Sequence, residues 1–258
     1  MYPILFSLGH IQVYTLGIFL ALALAVFYFV IKYLTSKKKR SFYFFQKRLT
    51  YFILAAIVGG RLFYVFLNPG FFQENIWNAF IPESFSWYGV LITTTALLFY
   101  FCYRNKEEFS VWFNFFLLAA LPAITVGLIG YFLDGGISGK PTNLFLGIVF
   151  DNIYSNVPYV SPVHPVQLYL LALTIFITGL AFYFYSKKIN VYFNSCFILF
   201  LLSTTNFAIE FLRGDVLPIT LGLTTNQVID VTLIILATAW FNHFIQTTTS
   251  FFEAEPQN

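Results

Sequence analysis

Seven long apolar stretches run through this 258-residue sequence and constrain its fold more than any other feature. About 20 consecutive apolar residues are needed to cross a bilayer core as a helix. Only 10% of the residues are charged, whereas a soluble domain carries about 25%. We therefore predict an all-α polytopic membrane protein with seven transmembrane helices, built as a single integral membrane domain over residues 1–258. The predicted spans are residues 11–34, 49–67, 86–103, 111–132, 165–185, 191–211 and 224–245.

The basic residues predict how these spans are oriented. Eleven of the fourteen Lys and Arg residues lie in alternate connections between the stretches, and cytoplasmic loops are enriched in such residues. The pattern predicts an exterior N-terminus and a cytoplasmic C-terminus in a multi-pass plasma-membrane protein. The formal net charge of +3 is too small to indicate a nucleic-acid partner. The eleven residues are Lys32, Lys37, Lys38, Lys39, Arg40, Lys47, Arg48, Arg104, Lys106, Lys187 and Lys188.

Two longer connections fall on the predicted exterior side, at about residues 68–85 and 133–164. The second begins with Asp134-Gly135-Gly136 and contains several prolines. Glycine and proline mark turns rather than helices, so this segment is expected to be turn-rich. Together the two connections predict a small exterior loop subdomain.

Seven ionisable residues outside the cytoplasmic connections and the acidic tail indicate a function. A charged group in a bilayer costs free energy, so each one is a functional hypothesis. On the predicted topology all of them lie on the outer side, which favours a site open to the outer leaflet over an ion pathway through the bilayer. The alternative is structural pairing, of Arg61 with an acid and of Glu210 with Arg213. The residues are Arg61, Asp134, His164, Glu210, Arg213, Asp215 and Asp230.

Two motifs on the same side add chemical groups. The stretch Asp134-Gly135-Gly136-Ile137-Ser138-Gly139-Lys140 could present backbone N–H groups to a phosphate, or could simply be a turn. His164-Pro165-Val166-Gln167-Leu168-Tyr169 opens the fifth span, with proline at the predicted first helical position. It places an imidazole, an amide and a phenol near one surface, although a lone histidine there is more often a solvated cap.

The order of the motifs along the chain forms a pattern of its own. They are Pro3-Ile4-Leu5-Phe6-Ser7-Leu8-Gly9, Gly60-Arg61-Leu62-Phe63-Tyr64-Val65-Phe66, Gly127-Leu128-Ile129-Gly130-Tyr131-Phe132 running to Gly139, the His164 motif, Glu210-Phe211-Leu212-Arg213-Gly214-Asp215, and Gly222-Leu223-Thr224 before Gln227. In this order and topology the chain resembles the bacterial prolipoprotein diacylglyceryl transferase family over nearly its whole length.

The resemblance implies a transferase of the bacterial inner membrane. The family moves diacylglycerol from phosphatidylglycerol to the lipobox cysteine thiol of a preprolipoprotein, and releases glycerol phosphate. The implied partners are this phospholipid and the lipobox peptide within the bilayer, with no metal and no cofactor. The implied catalytic residues are Arg213 on the phosphate, Glu210 as an orienting group, and His164 or Tyr88 for the proton. The implied substrate-binding residues are Arg61, Asp134, Gly139, Gln167, Tyr169 and Gln227.

Several family positions are substituted in this chain. The family reads Gly-Arg-x-Gly-Asn-Phe in the fourth span, where this sequence has Leu128 and Tyr131 at the Arg and Asn positions. Tyr88 stands where the family has a histidine, Leu16 replaces a tyrosine of the first span, and Leu170 replaces a glutamate.

These substitutions leave two alternatives open. One is a catalytically inactive relative that binds lipid or lipoprotein at the same outer cavity. The other is an unrelated transporter or channel that uses Asp230, Glu210 and Asp134 as ion ligands.

Overall fold

The computed structural model of the chain describes residues 2–8, 11–69, 77, 85–150, 161–216 and 222–253. The exterior connections predicted from the sequence therefore lie partly outside the described residues, at 70–76, 78–84 and 151–160. An antiparallel hairpin of β1 (Ile4–Leu8) and β2 (Ile11–Tyr14) precedes the helices. The helices are α1 (Thr15–Lys37), α2 (Tyr43–Gln46), α3 (Leu49–Leu67), α4 (Trp87–Asn105), α5 (Phe109–Asp134), α6 (Val166–Ser186), α7 (Val191–Glu210) and α8 (Thr225–Glu253).

Each of the seven predicted spans coincides with one of these helices, and six of the helices are long and apolar enough to cross a membrane. The chain is therefore a multi-pass membrane protein. Helix α4 is the exception to the apolar criterion, since it carries three consecutive threonines at 93–95 and ends in Arg104 and Asn105. The seven-span count and the orientation of the termini stay predictions.

The first predicted span began too early. Residues Ile11–Tyr14 form strand β2, with Leu8 opposite Ile11 and Ile4 opposite Tyr14, and the helix begins only at Thr15. The β-branched and aromatic residues of this segment favour an extended chain. The Thr15 hydroxyl and N–H donate to the carbonyls of Tyr2 and Pro3, which fixes the start of α1 beside β1.

The chain divides into two compact units, of which the first comprises Met1–Val30 and Phe116–Asn258. Within this unit, α8 packs along α7 and α7 packs along α6. Aromatic rings fill both contacts: Phe184 meets Phe197 edge-on at 4.9 Å between centroids, and Tyr192 stacks on Phe244 at 5.1 Å. This packing joins α6, α7 and α8 into one group of helices.

The second unit comprises Ile31–Phe115, and its main contact is between α3 and α4. A β-carbon at Gly89 would lie 2.3 Å from the carbonyl oxygen of Gly59, so only glycine allows the helix backbones to approach this closely. The Thr93 hydroxyl donates to the carbonyl of Ala55 at 2.8 Å across the same contact. Small residues and threonine at a helix crossing are typical of membrane packing.

Large apolar side chains project from the outside of these apolar helices. Phe29 is 62% exposed, Leu62 64% and Phe66 76%. On a soluble protein such a surface would cause association. On helices of membrane-spanning length these side chains are suited to contact with lipid hydrocarbon.

Candidate functional site

The candidate site is built where the chain leaves α7. Helix α7 ends at Glu210, and the next residues turn away and pair with the segment that follows α5. The Lys140 N–H donates to the Leu212 carbonyl at 2.8 Å, and the Gly214 N–H donates to the Ser138 carbonyl at 2.9 Å. These two bonds fix the backbone on both sides of Arg213.

Gly139 lies at the centre of this pairing, opposite Arg213 in an antiparallel bridge. A β-carbon on Gly139 would lie 2.1 Å from the carbonyl oxygen of His164, which no side chain can tolerate. The His164 N–H donates to the Lys140 carbonyl at 3.0 Å. The three segments that carry Gly139, His164 and Arg213 are therefore joined backbone to backbone.

The Arg213 guanidinium binds two carboxylates. Its Nε and Nη2 donate to the Asp215 Oδ1 and Oδ2 at 2.9 and 2.8 Å, and its Nη1 donates to the Glu210 Oε2 at 3.1 Å. Arg213 lies beyond the end of α7, which is at Glu210. The two side chains nevertheless pair, since the turn after α7 brings the guanidinium back to the helix end.

Glu210 is engaged through both of its oxygens. While Oε2 accepts from Arg213, Oε1 accepts from the Thr224 hydroxyl at 3.0 Å and from the Asn226 Nδ2 at 2.8 Å. The side chain is only 6% exposed. Burying Glu210 and its three partners separately would cost free energy, but here their polar atoms bond to one another.

Thr224 also caps the start of α8. Its Oγ1 accepts from the Gln227 N–H at 3.2 Å, and the Gln227 Oε1 accepts from the Thr224 N–H at 2.9 Å. This reciprocal pair is a capping box, which satisfies two N–H groups at the helix start. The cap and the Glu210 contact share one hydroxyl, so the position of α8 and that of Glu210 are coupled.

Replacing Thr224 with valine is expected to lower the free energy of unfolding by about 2 kcal/mol, because it removes a helix cap and a buried hydrogen bond to a carboxylate. Thr224→Ser keeps the hydroxyl and should restore most of the stability. Thermal unfolding of both variants in nanodiscs measures the difference. Equal stability of the two variants would contradict the coupling.

The charge of Arg213 is secure in this setting. Burial works to lower its pKa, but the hydrogen bonds and negative charges of Asp215 and Glu210 outweigh burial and raise the pKa above its ordinary value. The guanidinium therefore stays protonated over the whole physiological pH range.

His164 and Tyr169 lie beside each other at the start of α6, with the His164 Nδ1 3.3 Å from the Tyr169 hydroxyl oxygen. Gln167 is fully buried, and its Nε2 donates to the Ile137 carbonyl. The sequence predicted Pro165 as the first helical residue of α6. In the structure Pro165 is the N-cap, and the helix begins at Val166. The motif thus ties the helix to the Gly139 segment through Gln167 while His164 and Tyr169 stay partly exposed.

The other predicted residues divide between the two units. Asp134, the last residue of α5, belongs to the first unit, where the Tyr131 phenol interacts electrostatically with both Asp134 and Arg213. Arg61 and Tyr88 belong to the second unit, Arg61 on α3 and Tyr88 at the start of α4 with its ring 4.2 Å from that of Trp87.

Sequence reasoning included Asp215 among the outer-side ionisable residues but gave it no specific role, and it assigned no role in the site to Thr224 or Asn226. The capping-box signature of a threonine followed three residues later by a glutamine was available for Thr224. Nothing in the sequence indicated that Asn226 or Asp215 would contact the Glu210–Arg213 pair, because those contacts depend on the turn after α7.

Comparison with known proteins identifies relatives over most of the chain. The family model described as prolipoprotein diacylglyceryl transferase matches residues 3–242. The chain is 27% identical to the phosphatidylglycerol–prolipoprotein diacylglyceryl transferase of Clostridium tetani, over 94% of this chain and 97% of that protein. It is 28% identical to the protein of the same name from Prochlorococcus marinus strain NATL2A, over 85% and 80% of the two chains.

Proposed function

This chain belongs to the prolipoprotein diacylglyceryl transferase family, and we propose that it transfers diacylglycerol from phosphatidylglycerol to the cysteine thiol of a lipobox peptide at the bacterial inner membrane. The observation that carries the proposal is the Arg213 guanidinium, a permanent positive charge held by Glu210 and joined through the Gly139 segment to the backbone of His164. Transfer to a thiol with phosphate as leaving group requires these two functions, a fixed positive charge and a proton acceptor.

Arg213 stabilises the departing phosphate. The thiolate sulfur forms a bond to the glycerol carbon of the lipid while the bond from that carbon to the phosphate oxygen breaks. The phosphodiester carries one negative charge, and the glycerol phosphate that leaves carries an additional one. A guanidinium aimed at this oxygen is worth more in the transition state than in the ground state, which is the condition for catalysis.

Glu210 acts as a positioning residue in this proposal. Its oxygens already accept three hydrogen bonds, from Arg213, Thr224 and Asn226, so it is not placed to take a proton from the thiol. It fixes the guanidinium relative to α8, and Gln227 supports that arrangement through the capping box. Preorganised donors of this kind avoid the cost of reorientation during the reaction.

His164 is the proposed proton acceptor for the substrate thiol. Its ring is partly exposed and its backbone is joined to the Gly139 segment that pairs with Arg213. Tyr169 holds the imidazole orientation through its contact with Nδ1, which leaves Nε2 to face the thiol. Gly139 allows the close approach to the His164 backbone, and Gln167 bonds to the Ile137 carbonyl. Together they hold the Gly139 segment against the start of α6.

The remaining assignments follow the family motifs. Tyr131 interacts electrostatically with both Asp134 and Arg213, and it offers a hydroxyl where the family has an amide. Leu128 offers no charge, so Arg213 is the phosphate ligand of this unit in our proposal. We propose Arg61 as a second source of positive potential and Tyr88 as an alternative proton acceptor. Both roles rest on the family motifs alone.

Complementation tests the proposed function. The chain should restore growth and lipoprotein maturation to a bacterial strain depleted of its own transferase. Chain carrying Arg213→Ala, expressed in the membrane at the same level, should fail to do so. Accumulation of unmodified preprolipoprotein with the unaltered chain present would rule out the activity.

Replacing His164 with glutamine is expected to reduce kcat about a hundredfold, the usual contribution of a general base. The residual rate should rise with pH as the peptide thiol, with a reference pKa of about 8.5, ionises by itself. Initial rates of glycerol phosphate release between pH 6 and 9 measure this. Tyr169→Phe serves as the milder control, and an unchanged profile in His164→Gln would transfer the proton role to another residue.

A further inference from the structure

The two carboxylates on Arg213 are held very differently. Glu210 is nearly buried and has Thr224 and Asn226 as additional donors. Asp215 is 29% exposed, and among the described residues its carboxylate oxygens have hydrogen bonds only from Arg213. Glu210 is therefore a fixed part of the site, whereas Asp215 can leave by rotation of its own side chain.

Asp215 occupies the edge of the guanidinium that recognises oxyanions. Its two oxygens accept in parallel from Nε and Nη2, at 2.9 and 2.8 Å. A phosphate binds arginine in the same two-point geometry. Three of the five guanidinium N–H groups are committed to the two carboxylates, and the pair on the oxyanion edge is taken entirely by Asp215.

The charge balance leads to the same conclusion. With Glu210 and Asp215 both ionised, the cluster around Arg213 carries one net negative charge and repels an anionic headgroup. With Asp215 withdrawn, Arg213 and Glu210 balance each other and the oxyanion edge becomes available. The backbone stays in place during this exchange because Leu212 and Gly214 are bonded to Lys140 and Ser138.

We propose that Asp215 is an internal competitor for the phosphate of the substrate, a residue that sets the affinity of the site for anionic headgroup and product. The proposal rests on the proposed function, since it concerns the same guanidinium. Phosphate and Asp215 exchange on one edge of Arg213, so Asp215 weakens substrate binding and returns to the guanidinium to assist release of glycerol phosphate. Asp215 is thus a specificity-determining residue and not a proton carrier.

The test measures inhibition by glycerol phosphate and binding of inorganic phosphate, with the full-length protein in nanodiscs. In Asp215→Ala the inhibition constant for glycerol phosphate should fall about tenfold, because the phosphate no longer has to displace a partly exposed, solvent-screened carboxylate. Asp215→Asn removes the charge at nearly constant shape and should show the same direction. Glu108→Gln is the matched control, because Glu108 also pairs with an arginine, the Arg40 of the second unit, at 2.8 Å.

The outcomes separate this proposal from the proposed function. Tighter glycerol phosphate and phosphate binding in both Asp215 variants, lost when Arg213→Ala is added, supports the competitor. Unchanged or weaker binding in these variants overturns it, whether or not transfer activity is present. Absence of transfer by the unaltered chain, with phosphate binding still tightened by Asp215→Ala, overturns the proposed function and leaves the competitor standing.

Discussion

Replacing Arg213 with alanine is expected to reduce kcat/KM for diacylglyceryl transfer by at least about a hundredfold. Hydrogen bonds to charged groups contribute about 1.5–3 kcal/mol each, and about 1.4 kcal/mol corresponds to tenfold in rate. Two such bonds to a phosphate that gains charge in the transition state therefore account for about two to four orders of magnitude. Release of glycerol phosphate from phosphatidylglycerol nanodiscs in the presence of a lipobox peptide measures the loss.

Two further variants separate chemistry from folding in this experiment. Arg213→Lys keeps the charge but not the two-point geometry, so it should recover only part of the rate. Arg40→Ala removes an arginine that also binds two carboxylates, Glu107 and Glu108, but at a different place, and it should leave the rate unchanged. If Arg213→Ala retained the full rate while folding normally, Arg213 would have no part in binding the phosphate.

Replacing Gly139 with alanine is expected to lower the free energy of unfolding by about 3 kcal/mol, the upper range for inserting a carbon into packed structure. The β-carbon would lie 2.1 Å from the His164 carbonyl oxygen, a backbone atom that cannot swing aside. The bridge to Arg213 and the position of His164 would both be disturbed, so transfer activity should fall together with stability. Thermal unfolding and glycerol phosphate release in the same nanodiscs measure both effects.

Gly127→Ala is the matched control for this substitution. Gly127 lies inside α5, and nothing comes within 4 Å of a β-carbon built there. Alanine is favoured over glycine in a helix by about 1 kcal/mol, so this variant should be as stable as the unaltered chain or more so. If Gly139→Ala and Gly127→Ala had the same stability and the same transfer activity, the Gly139–His164 contact would be unimportant.

The helices of this chain could be read from its apolar stretches because each stretch has to satisfy its own backbone in the membrane. Residues 49–67 were predicted as a span and form α3 with the same bounds. The first span was misplaced by four residues, since Ile11–Tyr14 pair with β1 in a contact that apolarity alone does not reveal.

The candidate site could be predicted only in part from the sequence. Single residues such as Arg213, Glu210 and His164 stood out because charged and ionisable groups are scarce in this sequence. The pairing of Glu210 with Arg213 was named as an alternative and is observed. The contacts of the Gly139 segment with Arg213 and His164 could not be predicted, because they are made by backbone atoms of an irregular segment. Asp215 also stood out as an ionisable residue, but its competition for the guanidinium could not be predicted, because the sequence does not show that the two side chains meet.

The substitutions at Leu128 and Tyr131 bear directly on whether this chain is an active transferase. Leu128 is buried in α5 and brings no charge, whereas Tyr131 places a phenol in electrostatic contact with Arg213. If Arg213 carries the phosphate, transfer survives the loss of the family arginine. If it does not, the chain keeps the family fold and has lost its chemistry.

Mass spectrometry of the acceptor peptide tests this account most directly. The purified protein is incubated with a lipobox peptide in phosphatidylglycerol nanodiscs, alongside a peptide whose cysteine is replaced by serine. We expect the cysteine peptide to gain a thioether-linked diacylglyceryl group and the serine peptide to stay unmodified, with the product absent for Arg213→Ala. A peptide that binds but keeps its original mass with the unaltered chain would contradict the assignment as a transferase.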